Sequence, residues 1–363
     1  MSTYVKNSIR KMKGYTPGEQ PPGDDLIKLN TNENPYPPSP KVQKVLEGLK
    51  TEALRKYPDP ACTALRRSIA DLHGVSAEAV IIGNGSDEIL ALCATAFVEE
   101  GGAVGYFTPS YSLYPVLADI AGHRKREIEL DADFKWPWGG GDRTEAGNID
   151  CALFYMTNPN APTGIRYPAE RVSAFCKAFK GVVVIDEAYV DFADGHCMEL
   201  ATQLPNVLVT RTLSKSYSLA GLRAGYAVGT VELIEALMKI KDSYNVNAVS
   251  QAAAIAAISD SDHMLNNVKR IRRTRETLVG TLKELGFSVY PSEANFVWAM
   301  PPKVSAENLY LGLKSLGVLI RYFPGTRTGA FVRITVGTDE ETASLLKSLK
   351  SVLASCSGKE TES

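Results

Sequence analysis

Short apolar runs alternate with helical patterns through the middle of the chain, and this alternation limits the fold more than any other feature. Residues 182–185, VVVI, form an unbroken apolar run, which is typical of a strand buried on both faces of a parallel sheet. The other strands predicted here are 80–82, 103–107, 151–157, 207–210 and 225–229. The helices predicted between and around them are 40–54, 60–73, 112–121 and 168–179, with an interrupted helical region at 231–285. The pattern predicts an α/β fold with a mostly parallel central sheet covered by helices on both faces.

The pattern changes after Gly286, where a second, smaller α+β domain is predicted. Its strands are 287–290, 295–299, 318–322 and 331–336, and its helices are 305–316 and 339–354. The first 40 residues are rich in proline, glycine and asparagine, so we expect an extended arm without a helix, with a short strand at 26–29. Residues 137–145 are predicted to form a flexible surface loop. The predicted parts of the chain are an arm at 1–40 that contributes to the small domain, a large domain at 41–270, a small domain at 271–356, and a disordered tail at 357–363.

The charges of the chain nearly cancel, with 40 lysines and arginines against 41 aspartates and glutamates. This balance gives no support for a nucleic acid or an anionic membrane as a partner. The six cysteines form no CxxC pair and no cluster with the four histidines, so we expect a reducing compartment and no bound metal. No apolar run approaches the ~18 residues of a membrane helix, and the N-terminus lacks the apolar core of a signal peptide. We therefore expect a soluble, unprocessed, cytoplasmic protein.

Residues 213–223, LSKSYSLAGLR, contain the lysine that we expect to carry the chemistry. Lys215 follows a predicted strand. Because a lysine titrates near ~10.4 in water, a lysine nucleophile must be desolvated or held as a Schiff base. A pyridoxal phosphate site does both, and its phosphate needs a fork-shaped cation such as Arg223. The alternative is an ordinary surface lysine at a strand-to-helix turn.

Two further turns follow predicted strands, at the edge of the sheet where ligands bind. Residues 83–88, GNGSDE, lead a strand into a helix, and the backbone amides of such a turn form an anion site. The same turn would also serve as a helix cap, with Ser86 or Asp87 as the capping residue. Asp186 ends the VVVI strand, and a carboxylate there must be paired with a cation or strongly hydrogen-bonded. A helix cap or a structural carboxylate is the alternative for Asp186.

Nine short motifs occur in order along nearly the whole chain. They are LNTNENPYP, YPD, GNGSDE, TPSYSLY, NPNAPTG, VVVIDEAYVDF, TLSKSYSLAGLRAGY, EANF and VRITVGT. Together they resemble the fold-type I pyridoxal phosphate enzymes, in particular the class I and II aminotransferases, and they are most similar to the histidinol-phosphate aminotransferases. One such motif is weak evidence, but nine in order are highly specific.

The resemblance implies a role for each candidate residue. Lys215 would carry pyridoxal phosphate covalently and then act as the general base that moves a proton at the substrate α-carbon. Asp186 would keep the pyridine nitrogen protonated, which makes the ring an electron sink. Tyr189 would hydrogen-bond the ring hydroxyl, and Tyr111 would stack on the ring. The residues expected at the phosphate are Gly85, Ser86, Asp87, Thr212, Ser214 and Arg223, with Tyr57 reaching it from the neighbouring subunit of a homodimer with shared active sites.

One position departs from the pattern of the family that the chain resembles. Its members usually carry an asparagine immediately before Pro-Thr-Gly, where the amide bonds the ring hydroxyl, and this chain has Ala161 there. A methyl group cannot donate a hydrogen bond. Either Asn160 takes over the contact, or Tyr189 holds the hydroxyl alone.

For the substrate, the resemblance implies that Arg333 binds the acidic end of the amino donor together with Arg321 and Tyr15. Arg321 could instead be an ordinary strand-edge arginine. The expected reaction is transamination of L-histidinol phosphate with 2-oxoglutarate, giving imidazole acetol phosphate and glutamate in histidine biosynthesis. An aromatic amino acid aminotransferase and a decarboxylase similar to the threonine-phosphate decarboxylases are alternatives on the same fold. A regulatory module that binds the cofactor without turnover is disfavoured, because no residues remain for a basic DNA-binding domain.

Overall fold

A seven-stranded sheet forms the centre of the protein. The structure is a computed structural model that describes residues 4–21, 26–138 and 145–357. In order across the sheet, the strands are Val80–Gly83, Gly225–Gly229, Val207–Thr212, Val182–Asp186, Leu153–Thr157, Ala103–Thr108 and Arg124–Glu129. The strand Gly225–Gly229 runs antiparallel to both of its neighbours, and the other pairs in this sheet are parallel. The mostly parallel sheet predicted from the sequence is therefore confirmed.

Helices cover both faces of this sheet, because successive side chains of each strand point to opposite sides. Val183 and Ile185 pack into one apolar cluster, whereas Val184 packs into the other. The first cluster receives side chains from Pro40–Glu47, Thr63–His73, Ala169–Ala178, Leu200–Gln203, Ala248–Ile258 and Ser261–Glu284. The second receives side chains from Ser86–Ala96, Leu113–Ala121 and Val231–Ile240. Burial on both sides explains why the VVVI run shows no polar alternation.

The C-terminal part contains a four-stranded antiparallel sheet. Its strands, in order across the sheet, are Arg321–Tyr322, Val332–Thr335, Phe296–Met300 and Ser288–Val289. The helices Ala306–Ser315 and Asp339–Ser357 belong to the same part. Ile27–Lys28 of the arm pairs in parallel with Val318–Leu319, which confirms the predicted short strand in the arm. The domain boundaries stay predictions, and the helix Ser261–Glu284 runs through the one at 270/271.

The arm contains a helix, Asn7–Lys11, so the prediction of an arm without a helix is wrong. The first proline of the chain is Pro17, and the helix lies in the proline-free stretch before it. The strand Arg124–Glu129 was not predicted. It lies at the sheet edge with mostly exposed side chains, so it lacks an apolar run.

One helix boundary also differs from prediction. The helix predicted over 40–54 ends at Glu47 and is followed by a 3-10 turn at Thr51–Arg55. Further 3-10 turns are Ala77–Ala79, Ala146–Asn148, Val190–Phe192 and Ala220–Leu222.

Most of the predicted loop at 137–145 and nearly all of the predicted tail lie outside the described residues. Among the helices of the described ranges, none combines the length and the apolar character needed to cross a membrane.

Candidate active site

A cavity of about 440 Å³ opens at the carboxyl ends of the parallel strands, with the arm and the C-terminal sheet contributing to its walls. Most residues predicted for the site line it: Tyr15, Ser86, Asp87, Tyr111, Asp186, Tyr189, Thr212, Ser214, Lys215, Arg223, Arg321 and Arg333. Gly85, Asn160 and Tyr57 are the predicted residues that do not line it. The fold thus brings together side chains that lie up to 318 positions apart, from Tyr15 to Arg333.

Lys215 lies just after the strand Val207–Thr212 and lines the cavity. Its Nζ donates a hydrogen bond to the backbone oxygen of Thr31 at 3.1 Å. The Asn34 side-chain amide donates to the backbone oxygen of Lys215 at 3.0 Å and so holds the loop in place. Burial, together with the positive charge of Arg333, lowers the pKa of Lys215 to about 8. The neutral amine, which is the form that attacks a carbonyl, is therefore accessible close to neutral pH.

Asp186 ends the central strand with its side chain almost fully buried, at 2% exposure. Its Oδ2 accepts a hydrogen bond from the Tyr114 hydroxyl at 3.0 Å. Its Oδ1 has no hydrogen-bond partner among the residues that the structure describes. Burial raises the pKa of Asp186 to about 7, because a buried carboxylate without a cation is disfavoured. One free carboxylate oxygen in the cavity wall fits the protonated ring nitrogen of pyridoxal phosphate.

The turn before the helix Ser86–Ala96 and the guanidinium of Arg223 form a cationic end of the cavity. Gly85 caps this helix with φ of +82°, and a Cβ there would lie 2.6 Å from Arg223 Nη2, so only glycine allows this approach. Arg223 Nη2 donates to Asp87 Oδ2 at 3.1 Å, and Nη1 donates to Ser214 Oγ at 3.4 Å. The Asp87 carboxylate thus holds the guanidinium, while its backbone amide lies in the first turn of the helix. Amides at a helix start beside an arginine fit a phosphate group.

Tyr189 is buried beside the cavity, and its hydroxyl accepts a hydrogen bond from the Asn32 side-chain amide at 3.0 Å. The Asn160 amide donates instead to the backbone oxygen of Pro109 at 3.3 Å and to Thr163 Oγ1 at 3.0 Å. Both donors of the Asn160 side-chain amide therefore already have acceptors in the protein. These contacts favour the alternative in which Tyr189 holds the ring hydroxyl alone, and the role of Asn160 stays a prediction.

Arg321 and Arg333 are directly opposite each other on paired antiparallel strands. The ring of Phe323 lies 5.2 Å from the guanidinium carbon of each arginine, so one aromatic side chain contacts both. Arg321 donates to the backbone oxygens of Thr16 at 2.9 Å and Pro17 at 3.0 Å. Burial and the charge of Arg321 lower the pKa of Arg333. Two adjacent cations form a site for an anion with two charges.

Three residues at the site were not predicted from the sequence: Asn32 and Phe323, which line the cavity, and Tyr114, which donates a hydrogen bond to Asp186. Asn32 and Tyr114 lie within quoted motifs, but their contacts join distant parts of the chain, and Phe323 lies outside the motifs. Tyr57 is 80% exposed and stacks on Tyr244, with 4.4 Å between ring centroids, away from the cavity lining of its own chain.

Comparisons with known proteins agree with this geometry. The family model for aminotransferase class I and II matches residues 24–349. Histidinol-phosphate aminotransferase from Citrifermentans bemidjiense is 42% identical over 347 residues, which cover 95% of this chain and 97% of that protein. Histidinol-phosphate aminotransferase 1 from Trichormus variabilis is 40% identical over 97% of this chain and 100% of that protein. The crystal structure of histidinol-phosphate aminotransferase from Sinorhizobium meliloti in complex with pyridoxal 5'-phosphate superposes with a TM-score of 0.86 at 26% identity, covering 98% of this chain and 99% of that one. The chain therefore belongs to the class I and II aminotransferases and, within them, to the histidinol-phosphate aminotransferase family.

Proposed function

We propose that this chain transfers the amino group of L-histidinol phosphate to 2-oxoglutarate, with pyridoxal phosphate as its cofactor. The observation that carries the proposal is the arginine pair, Arg321 and Arg333, in the same cavity as Lys215 and Asp186. The two arginines suit a phosphate on the amino donor, whereas Lys215 and Asp186 suit the cofactor. The family of the close relatives supports the same reaction.

The residues of the cavity fit the cofactor at three points. The Lys215 amine would hold it covalently, the unpartnered Oδ1 of Asp186 would face its ring nitrogen, and Arg223 would bind its phosphate. Tyr189 would donate to the ring hydroxyl, and Tyr111 would cover the ring face. When bound, pyridoxal phosphate supplies a cationic ring that withdraws electrons from the substrate α-carbon.

Lys215 is the residue that we propose for the proton transfer at the substrate α-carbon. A general base works best when its pKa is near the working pH, and the pKa of Lys215 is about 8 because the side chain is buried. The Asp186 carboxylate keeps a negative charge beside the cofactor ring and so stabilises positive charge there. The neighbouring Tyr114 hydroxyl holds that carboxylate in position.

The arginine pair would bind both substrates in turn. A phosphate dianion accepts charge-assisted hydrogen bonds from two guanidinium groups, and the distal carboxylate of glutamate or 2-oxoglutarate would use the same donors. Tyr15 contributes to the same wall, with its ring centroid 6.0 Å from that of Tyr111. The substrate would thus lie between the arm and the C-terminal sheet.

We propose that the functional unit is a homodimer in which Tyr57 reaches the phosphate site of the neighbouring subunit. The support is its 80% exposure on a stacked aromatic pair with Tyr244. Aromatic side chains left exposed as a pair are typical of protein interfaces. Light scattering of the purified protein would give the mass, and a monomer at micromolar concentration would contradict this proposal.

The reaction is tested on the purified protein loaded with pyridoxal phosphate. L-Histidinol phosphate should remove the visible absorption of the lysine-bound cofactor, and 2-oxoglutarate should restore it. Tyrosine and phenylalanine are tested in parallel, and the release of carbon dioxide is measured with threonine phosphate, which carries the α-carboxylate that a decarboxylase would remove. A response to the aromatic amino acids alone would overturn the proposed donor, and release of carbon dioxide would indicate a decarboxylase.

A further inference from the structure

Asn32 joins three distant parts of the chain at the wall of the cavity. Its side chain is buried, at 1% exposure, and its backbone has φ of +56°, in the left-handed region that asparagine tolerates better than most residues. Its backbone oxygen accepts from the Asn295 amide at 3.0 Å, and its own amide donates to the Tyr189 hydroxyl at 3.0 Å. Asn32 therefore links the arm to Asn295 through its backbone and to Tyr189 through its side chain.

Thr335 determines the orientation of the Asn32 side-chain amide. The Thr335 hydroxyl oxygen accepts from the backbone N–H of Asn32 at 3.0 Å, so its proton is free to be donated. That proton goes to Asn32 Oδ1, also at 3.0 Å. If the amide were reversed, the buried hydroxyl of Thr335 would lose its acceptor, which is unfavourable. The NH₂ group of Asn32 therefore faces Tyr189.

The Tyr189 hydroxyl is consequently an acceptor toward Asn32. A phenol has one proton to donate, and this contact does not use it. Within the ranges described by the structure, Asn32 is the hydrogen-bond partner of this hydroxyl. Neither Ala161, which has no donor, nor Asn160, which bonds Pro109 and Thr163, supplies an amide to the ring oxygen. The geometry directs the phenol proton into the cavity.

We propose that Asn32 is a positioning residue that makes Tyr189 a hydrogen-bond donor to the ring oxygen of the cofactor. This inference rests on the proposed function of Tyr189. A donor to that oxygen favours its anionic form, which lowers the pKa of the lysine-bound cofactor. Asn32 therefore acts on the cofactor through the phenol, without touching it.

The test measures the pH midpoint of the visible absorption of the holoenzyme. Asn32→Asp replaces the amide donor by a carboxylate that accepts a hydrogen bond from the Tyr189 hydroxyl, and Asn32→Gly removes the side chain while keeping the left-handed backbone unstrained. We expect the midpoint to rise by about one pH unit in Asn32→Asp. It should rise by less in Asn32→Gly, because there the phenol can still donate its hydrogen bond to the ring oxygen. The glycine variant introduces no charge and so separates the hydrogen bond from electrostatics.

The same substitutions are then made in Tyr189→Phe. If Asn32 acts through the phenol, Asn32→Gly should change the midpoint of Tyr189→Phe by less than about 0.3 unit, since coupled residues are not additive. Equal shifts with and without the phenol, or a wild-type midpoint in both single variants, would overturn the inference. A protein that forms no visible band with pyridoxal phosphate in any variant would instead contradict the proposed function itself.

Discussion

The hydroxyl of Tyr114 lies 3.0 Å from Oδ2 of Asp186, and the other oxygen of that carboxylate has no partner among the described residues. One oxygen of the carboxylate is thus held by a hydrogen bond, and the other is available to the cofactor. Tyr114 is fully buried and stacks on Tyr155, with 4.8 Å between ring centroids and an interplanar angle of 12°. The rigid stack fixes the hydroxyl, and the hydroxyl fixes the carboxylate.

Removing the Tyr114 hydroxyl should weaken cofactor binding. In Tyr114→Phe the ring stays in its stack, but Asp186 loses its donor, so the pKa of the carboxyl rises above its value of about 7. We expect about a 10-fold loss of affinity for pyridoxal phosphate near pH 6.5, equivalent to one hydrogen bond to a charged group, and a smaller loss at pH 8.5, where Asp186 is ionised in both proteins. Titration of the apoprotein with the cofactor measures both.

Tyr155→Phe is the matched control for this variant. Tyr155 belongs to the same stack, but its hydroxyl donates to the backbone oxygen of Leu90 and not to Asp186. Its cofactor affinity should show no comparable dependence on pH. Equal losses in the two variants would mean that packing, rather than the hydrogen bond to Asp186, determines the affinity.

The buried charge of Asp186 should also make the apoprotein less stable at high pH. The pKa of Asp186 is raised from 3.8 to about 7, so between these values the folded state keeps a proton that the unfolded state has released. Stability contributed by this group is therefore lost as pH rises from about 4 to about 7. Asp186→Asn has no such charge. We expect its unfolding free energy, relative to wild type, to increase by about 3 kcal/mol between pH 5 and pH 8, measured by urea denaturation of the two apoproteins. Parallel profiles would contradict a buried, unpaired carboxylate.

The sequence predicted the part of the site that lies in strand-end turns. The VVVI run locates a central strand, and the residue that follows it, Asp186, is at the carboxyl end where the cavity opens. Lys215 follows the neighbouring strand by the same rule. These positions depend on local patterns and on the parallel topology, and both can be read from the chain.

The supporting contacts could not be read in this way. Asn32 and Tyr189 are 157 positions apart, and Tyr114 and Asp186 are 72 apart. No periodicity links such pairs, because only the packing of the arm and the sheets brings them together. Asn160 shows the converse, since its motif position suggested a donor to the cofactor, but its amide donates to Thr163 of its own loop and to Pro109 of a distant one.

Covalent capture of the cofactor should depend on the ionisation of Lys215. Only the neutral amine reacts, and the pKa of Lys215 is about 8, so the capture rate should rise with pH with a midpoint near that value. Arg333→Gln removes the positive charge that contributes most to this lowering after burial, and it should raise the midpoint by about half a unit to one unit. Stopped-flow absorbance after mixing apoprotein with pyridoxal phosphate measures the rate. Arg321→Gln is the control, because Arg321 is not among the main charges acting on Lys215. An unchanged midpoint in Arg333→Gln would show that the charge of Arg333 does not lower the pKa of Lys215.

Arg321 should distinguish a phosphorylated amino donor from one without phosphate. Its two terminal nitrogens donate to backbone oxygens of the arm, at Thr16 and Pro17, and its guanidinium lies against Phe323 opposite Arg333. In Arg321→Gln the phosphate loses a charge-assisted contact of about 1.5–3 kcal/mol, so kcat/KM for L-histidinol phosphate should fall by about 10- to 100-fold. With histidinol, which lacks the phosphate, kcat/KM should change by less than about threefold. Arg321→Lys keeps the charge but not the forked guanidinium, so its kcat/KM for L-histidinol phosphate should lie between those of wild type and Arg321→Gln. If Arg321→Gln reduced both substrates equally, the residue would hold the arm in place rather than bind the phosphate.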